Sequence, residues 1–179
     1  MTALTRNPTN PNFLHPNKFQ LNFARAPSIS YFCQSVTIPG ISTQEIPVFN
    51  PFVEVYAAGE KAVYDTLNIT FYVDEEMKAW IEVHDWIRAM TFPENFEEYK
   101  NLKALSAIGG RPKEVFPQYS DLLITVLSSS NKPYYQFKFF NAFPVSLSPL
   151  ILSSTDSPES VITADATFRY TYYDILKVF

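Results

Sequence analysis

The sequence predicts a mainly β fold, an antiparallel sandwich or barrel with one α-helix packed on its outside. Three observations carry this. Apolar residues alternate with polar ones over several separate stretches, the period of a strand with one buried face. One segment alone switches to helical spacing, directly behind the acidic start Asp74-Glu75-Glu76. Aromatic residues make up 16% of the chain, and rings are good strand formers.

The elements follow in order. Residues 1–17 read as an arm, because Asn7-Pro8, Asn10-Pro11 and Pro16-Asn17 punctuate it and proline removes backbone donors. The rest, 18–179, reads as one domain. From Lys18 to Phe23, Phe19, Leu21 and Phe23 alternate with Lys18, Gln20 and Asn22. A second strand is expected over Ser28–Ile38, ended by Pro39-Gly40, and a short third over Thr43–Val48. Phe49–Tyr64 is less regular, an apolar hairpin or loop with a turn at Ala58-Gly59-Glu60-Lys61; loops of this length usually serve a function.

Asp65–Val73 is the clearest strand, with Leu67, Ile69, Phe71 and Val73 on one face. Asp74 stands where a helix N-cap belongs, with Glu75 and Glu76 suiting the positive end of the dipole. The helix is expected from about Glu75 to Met90, with Pro93 just beyond. Met77, Trp80, Ile81, His84 and Ile87 form one apolar stripe, the expected core face. Trp86 falls roughly opposite Met77, which suggests a second contact, either with another subunit or with a covering loop.

Residues 94–119 are charged and irregular, with a turn at Gly109-Gly110-Arg111-Pro112. Ser120–Leu127 and Tyr134–Phe140 read as a hairpin joined by a turn-rich link. Val145–Leu152 reads as another strand, Ser153–Glu159 as a polar loop and Val161–Ile175 as one long final strand.

Composition narrows the function. A chain of 179 residues buries a core without metal or disulfide support. Its charged share of 18% is low against the usual ~25%, so part of its surface is expected to be covered by partners. A net charge of −4 and a pI near 5.2 lack the basic footprint of a nucleic-acid binder. No apolar run approaches the ~20 residues of a membrane helix, so no membrane partner is expected. The single Cys33 and the lack of a signal peptide fit synthesis in a reducing cytoplasm.

Catalytic material is sparse. Four glycines leave nothing for a phosphate-cradling loop, and no cofactor is expected. Two histidines, His15 and His84, and one cysteine do not make a common structural zinc site. Cys33 follows Phe32 in an apolar stretch and reads as a small buried hydrophobe. The carboxylates suit a helix start or a solvated face, and no motif marks the opposed pair a glycosidase needs. Tyr134, Tyr135, Tyr170, Tyr172 and Tyr173 have the rings to stack a sugar or a base, but strand formation explains them more simply. No catalytic residue is therefore assigned, and the chain is read as a non-enzyme.

The order of features resembles a known family. Ile38-Pro39-Gly40, Glu45-Ile46-Pro47-Val48, an apolar loop, Ala58-Gly59-Glu60, the Asp65–Val73 strand and the Asp74-Glu75-Glu76 helix start together look like the tail tube proteins of contractile-tailed bacteriophages. So do Asn17-Lys18-Phe19-Gln20 near the start and Ala142-Phe143-Pro144-Val145-Ser146 with Tyr172-Tyr173-Asp174 near the end. The resemblance implies a virion structural protein, made in the host cytoplasm. It serves as either the main tube subunit or the initiator of the tube at the baseplate. Six copies would join their sheets into one ring and rings would stack, a heterologous contact that propagates. The resemblance also implies a tail sheath and a baseplate as partners, and a lumen through which DNA passes without specific binding. The stretch 49–64 matches the family's inter-ring loop. Phe49, Phe52, Val53, Val55 and Tyr56, with Trp86 on the helix, are the expected contact residues between rings or subunits.

Other readings stay open at this point. A type VI secretion tube subunit or a phage-tail-like bacteriocin subunit would share the fold. A β-sandwich carbohydrate-binding module would show exposed rings on one sheet face. A β-sandwich hydrolase would show a cleft with two opposed acids.

Overall fold

A computed structural model describes residues 12–91, 118–155 and 161–178. Residues 1–11 of the expected arm, residues 94–117 of the charged stretch with its Gly109-Gly110 turn, and most of the polar loop expected over Ser153–Glu159 lie outside these. The elements are β1 (Phe19–Phe23), α1 (Pro27–Phe32), β2 (Cys33–Thr37), β3 (Ile41–Val48), β4 (Val55–Tyr64), β5 (Leu67–Tyr72), α2 (Lys78–Thr91), β6 (Ser120–Leu127), β7 (Pro133–Leu147), β8 (Thr163–Arg169) and β9 (Tyr172–Lys177).

Two antiparallel sheets share one strand. The first runs β1-β6-β7-β9 and the second β7-β8-β5-β2. β7 serves both: Pro133 to Ala142 pairs with β6 and β9, and Phe143 to Leu147 pairs with β8. The strand that Val145–Leu152 was expected to form alone is thus the second half of β7, ending at Leu147. Separate from both sheets, β3 and β4 form a two-stranded ribbon.

The alternation expected from sequence sets the core. Leu21, Phe23, Leu122, Ile124 and Phe139 face inward from the first sheet; Leu67, Ile69, Phe71, Ala164, Ala166 and Phe168 face inward from the second. The long final strand breaks at Tyr170-Thr171 into β8 and β9, and each piece pairs on a different sheet. The break also reverses the face: Phe168 is buried in β8, and Tyr173 rather than Tyr172 packs on the core in β9.

The strand expected over Ser28–Ile38 is instead the short helix α1 followed by β2, so the described residues hold two helices rather than one. Pro27 occupies the first helical turn, where its missing N–H is no loss. The Ser30 hydroxyl accepts from the Phe23 amide at 2.9 Å, and Ile29 is fully buried.

Helix α2 begins at Lys78, three residues later than expected. Glu75 and Glu76 lie in the turn before it, and Met77 takes a positive φ of 55°. Asp74 still supplies its carboxylate, accepting from the Ala79 amide at 3.3 Å. The buried stripe is Ala79, Val83, Trp86 and Ala89, not the arc built around Met77 and His84. Two alanines let this face approach closely, while His84 and Ile81 turn to the surface.

Trp86 is therefore corrected from a subunit contact to a core residue, 2% exposed. Its ring meets Phe23 of β1 at 5.5 Å and Phe168 of β8 at 6.2 Å, and those two rings meet at 5.1 Å. This junction joins α2 to both sheets. The indole Nε1 donates to the Gln118 carbonyl at 3.0 Å, so burial leaves no orphan donor.

Trp86→Ala is expected to lower stability by about 3–5 kcal/mol, measured by denaturant unfolding, because truncating a buried ring of this size leaves a cavity. Ile81→Ala, on the exposed flank of the same helix, is expected to stay within ~1 kcal/mol of wild type.

Candidate assembly interface

The β3–β4 ribbon contributes no residue to the core among the described residues. It leaves the sandwich between β2 and β5, two strands that pair with each other. Every residue of β3 is exposed, and β4 has only two positions better covered. The turn expected at Ala58-Gly59-Glu60-Lys61 is instead the middle of β4. Chain reversal occurs at the tip, residues 49–54. Gly59 sits opposite a register shift between Thr43 and Glu45. A Cβ there would stand 2.3 Å from the Gln44 carbonyl oxygen, so only glycine lets the strands meet.

Phe49, Phe52, Val53, Val55 and Tyr56 come together at or next to this tip. Phe49 and Phe52 are 93% and 94% exposed. The tip has an internal frame: the Asn50 carboxamide oxygen accepts from the Phe52 amide at 3.0 Å, and the Tyr56 hydroxyl donates to Glu54 at 3.0 Å. Along the ribbon body Ile41, Ile46, Val48 and Val63 extend the apolar surface. Sequence reading missed these four because they sit within strand patterns, where an apolar residue is normally assigned to the subunit's own core.

At its root the ribbon is held from one corner. Asp65 N–H donates to the Gly40 carbonyl at 3.2 Å, tying the outgoing and returning chains. The Tyr170 hydroxyl donates to the Asp65 carbonyl at 2.9 Å, and the Tyr173 hydroxyl to the Pro39 carbonyl at 3.3 Å. Arg169 Nη1 donates to the Tyr64 carbonyl at 3.3 Å. Burial, then the nearby charges of Tyr173, Asp65 and Tyr64, push the Tyr170 hydroxyl up to about 12, with Arg169 opposing.

Two further features belong to the sandwich. Among the described residues, the first sheet has open edges at both ends, β1 and β9. Val178 N–H donates to the Tyr134 carbonyl, so by antiparallel alternation Tyr173, Ile175 and Lys177 turn their backbone groups toward the open side. Beside β1 lies a groove of about 1180 Å3, lined among others by Phe19, Leu21, Tyr31, Cys33 and Val36. Burial pushes the Cys33 thiol up to about 11, an unreactive state. Among the described residues no group of three or more His, Cys, Asp or Glu is placed to hold a metal, and no helix is long and apolar enough to cross a membrane.

The model of the phage tail tube protein family matches residues 8–176. The chain belongs to this family. It is a structural, non-enzymatic protein and a component of a phage tail. The tail tube terminator protein of Enterobacteria phage T4 is 28% identical over 150 residues, covering 80% of this chain and 76% of that protein. Solved structures support the tail-tube-like fold. One is the sheath/tube terminator of the PVC extracellular contractile injection system in its extended state, with TM-score 0.60 and 14% identity, covering 93% of this chain and 99% of that one. Another is the tube-terminating cap of the anti-feeding prophage, with TM-score 0.55 and 12% identity, covering 99% and 100%.

In this tail tube protein the corner tyrosine gives a measurable signature. Its folded-state value lies above the ordinary tyrosine value near 10, so its stabilising contribution is complete below pH ~10 and is lost as pH rises toward about 12. Thermal unfolding followed between pH 9 and 12 should show a stability loss that Tyr170→Phe reduces; an identical slope in both proteins would remove Tyr170 as its source.

Proposed function

We propose that this chain is a tail tube terminator: a ring of six copies that seats on the end of the tail tube and stops its growth. The observation that carries the reading is the alignment with the T4 tail tube terminator across 80% of the chain. The exposed ribbon supplies a matching physical device. A two-stranded ribbon is marginal alone in water, and apolar surface of this kind marks an interaction site. Covering Phe49 and Phe52 against the tube would contribute about 1.5–3 kcal/mol each. Phe49, Phe52, Val53, Val55 and Tyr56 are the proposed contact residues.

Strand directions support ring closure. β1, β6, β7 and β9 alternate in direction, so β9 of one copy laid along β1 of the next continues the antiparallel pattern without a break. Pairing both edges would also remove two open templates for uncontrolled association. The arm, 1–17, would be left to reach a neighbouring ring, with 18–179 as the ring-forming domain. Tail sheath and baseplate are the proposed partners outside the tube. DNA would pass through the lumen without specific binding, which the net charge of −4 per copy favours by limiting phosphate capture.

A second reading, main tube subunit or tube initiator, rests on the same fold and differs in one outcome. Purified protein added to tubes growing from the phage's main tube subunit should arrest elongation and remain as one ring at the end, seen by negative-stain microscopy. Long tubes of this protein alone, or tubes growing from its rings, would replace the terminator reading with the second one. Phe49→Ser with Phe52→Ser is expected to weaken arrest at least ten-fold and leave ring mass, measured by light scattering, unchanged.

A further inference from the structure

The ribbon meets the sandwich at only two chain crossings, Pro39-Gly40 on the way out and Tyr64-Asp65 on the way back. A hinge of this kind pivots unless something holds it. Here the crossing itself is close: a Cβ at Gly40 would stand 3.0 Å from the Asp65 carboxylate. Three carbonyls of the two crossings, those of Pro39, Tyr64 and Asp65, each accept from a side chain of the β8–β9 corner, Tyr173, Arg169 and Tyr170. The Tyr64 ring packs edge-on against Tyr170 at 5.9 Å and Tyr173 at 5.5 Å. Phe139 backs both rings from the core at 4.9 and 5.2 Å.

The corner has a second property. Tyr173 belongs to β9, whose far side is open, and its backbone groups face that opening. Anything that pairs along β9 fixes the residue that holds the Pro39 carbonyl.

We infer that the Arg169, Tyr170 and Tyr173 corner couples ring closure to docking: a second copy pairing along β9 immobilises the clamp, and the clamp sets the ribbon in its docking orientation. The inference rests on the reading of the ribbon as the docking element and adds its regulation. In free subunits the clamp is formed but its β9 side is unpaired, so the ribbon is held less firmly than in a ring and engages a tube end more weakly. Closed rings carry six ribbons already ordered, so the ordering cost is met before docking and affinity rises. Assembly then proceeds in one order, ring first and tube second, without a separate factor.

The test uses the full chain and the pair Tyr170→Phe with Tyr173→Phe, which keeps both rings and removes both hydroxyls. Hydrogen exchange of the Asp65 amide, which donates across the root, reads the clamp directly. In wild-type protein this amide is expected to exchange roughly ten-fold more slowly in rings than in free subunits. The double variant should exchange roughly ten-fold faster than wild type in the same state, from two lost hydrogen bonds. Its ring mass should be unchanged and its arrest of growing tubes weakened. Unaltered Asp65 exchange in the variant, or equal exchange in wild-type subunits and rings, overturns the coupling. Should the double variant not fold, Tyr173→Phe alone is read in the same way. The tip pair Phe49→Ser and Phe52→Ser separates the two layers. If tip variants still arrest tubes while the clamp variant loses Asp65 protection, the docking role of the ribbon falls and the clamp stands. If tip variants lose arrest while Asp65 is indifferent to the tyrosines, the clamp falls and the docking role stands.

Discussion

The architecture depends on the change of partners within β7. From Tyr135 to Phe140 this strand pairs on both sides, with β6 and β9, and it stays beside β6 as far as Ala142; from Phe143 it pairs with β8. The switch happens at Asn141, which takes φ 55°, a left-handed conformation that asparagine tolerates better than most residues. Its side chain donates to the Thr171 hydroxyl at 3.3 Å, and the Thr171 amide donates to the Phe140 carbonyl at 3.0 Å. The bend in β7 and the break between β8 and β9 therefore face each other and are bonded together. One corner turns one run of strands into two sheets. The tyrosines that hold the ribbon stand on that same corner.

The packing then follows from how few ways there are to close the sandwich. Two sheets joined along one strand splay apart on the far side. Helix α2 covers them with its buried stripe of Ala79, Val83, Trp86 and Ala89, and Trp86 meets Phe23 of β1 and Phe168 of β8. Glu82 of the same helix accepts from the Ser28 hydroxyl at 2.7 Å and, less directly, from the Ser28 amide at 3.2 Å. That ties α1 to α2 and closes the end of the first sheet near β1. Among the described residues, what remains uncovered is the ribbon and the edge strands β1, β9 and β2. Neither is a defect of packing, because each presents backbone or apolar groups in an ordered array that another protein surface can complete.

Much of this was legible in the sequence where one face of a strand is buried and the other wet. β1, β5 and the β6–β7 hairpin follow from alternation alone. The misreadings share a physical cause, which is that local pattern was overruled by tertiary partners. Ser28–Ile38 is rich in strand-forming residues, but Pro27 starts a helical turn and Ser30 caps the end of β1, so six residues coil before the strand begins. Gly59 reads as a turn residue, whereas it is needed for close approach to Gln44 within a strand. The helix phase was misjudged because small residues carry little weight in an apolar stripe, and Ala79 and Ala89 mark the buried face. The final strand alternates without a visible break, and only its two different partners divide it. Of the six expected contact residues, five lie at the ribbon tip because an apolar run between Asn50-Pro51 and a strand has nowhere inside to go. Trp86 went to the core because a ring that large finds its best partners, Phe23 and Phe168, in the subunit's own interior.

Ten of the aromatic residues fall into three groups with different physical duties. Phe23, Trp86 and Phe168 sit at the junction of helix and sheets and hold the subunit together. Tyr64, Tyr170 and Tyr173 form the corner, half inside and backed by the buried Phe139, with the hydroxyls of Tyr170 and Tyr173 directed at the carbonyls of the ribbon root. Phe49, Phe52 and Tyr56 stand exposed at the tip, with no partner surface among the described residues. Buried area falls along this series and the lever arm from the core grows. A rigid interior transmits position through the corner to the tip only because the middle group bonds to backbone rather than to side chains. Side-chain contacts alone would let the ribbon swing by exchanging rotamers, whereas hydrogen bonds to fixed carbonyls on both crossings specify one direction. The placement of tyrosine rather than phenylalanine at positions 170 and 173 is thus explained by direction: burial asks only for a ring there, and the hydroxyl adds the constraint that aims the ribbon.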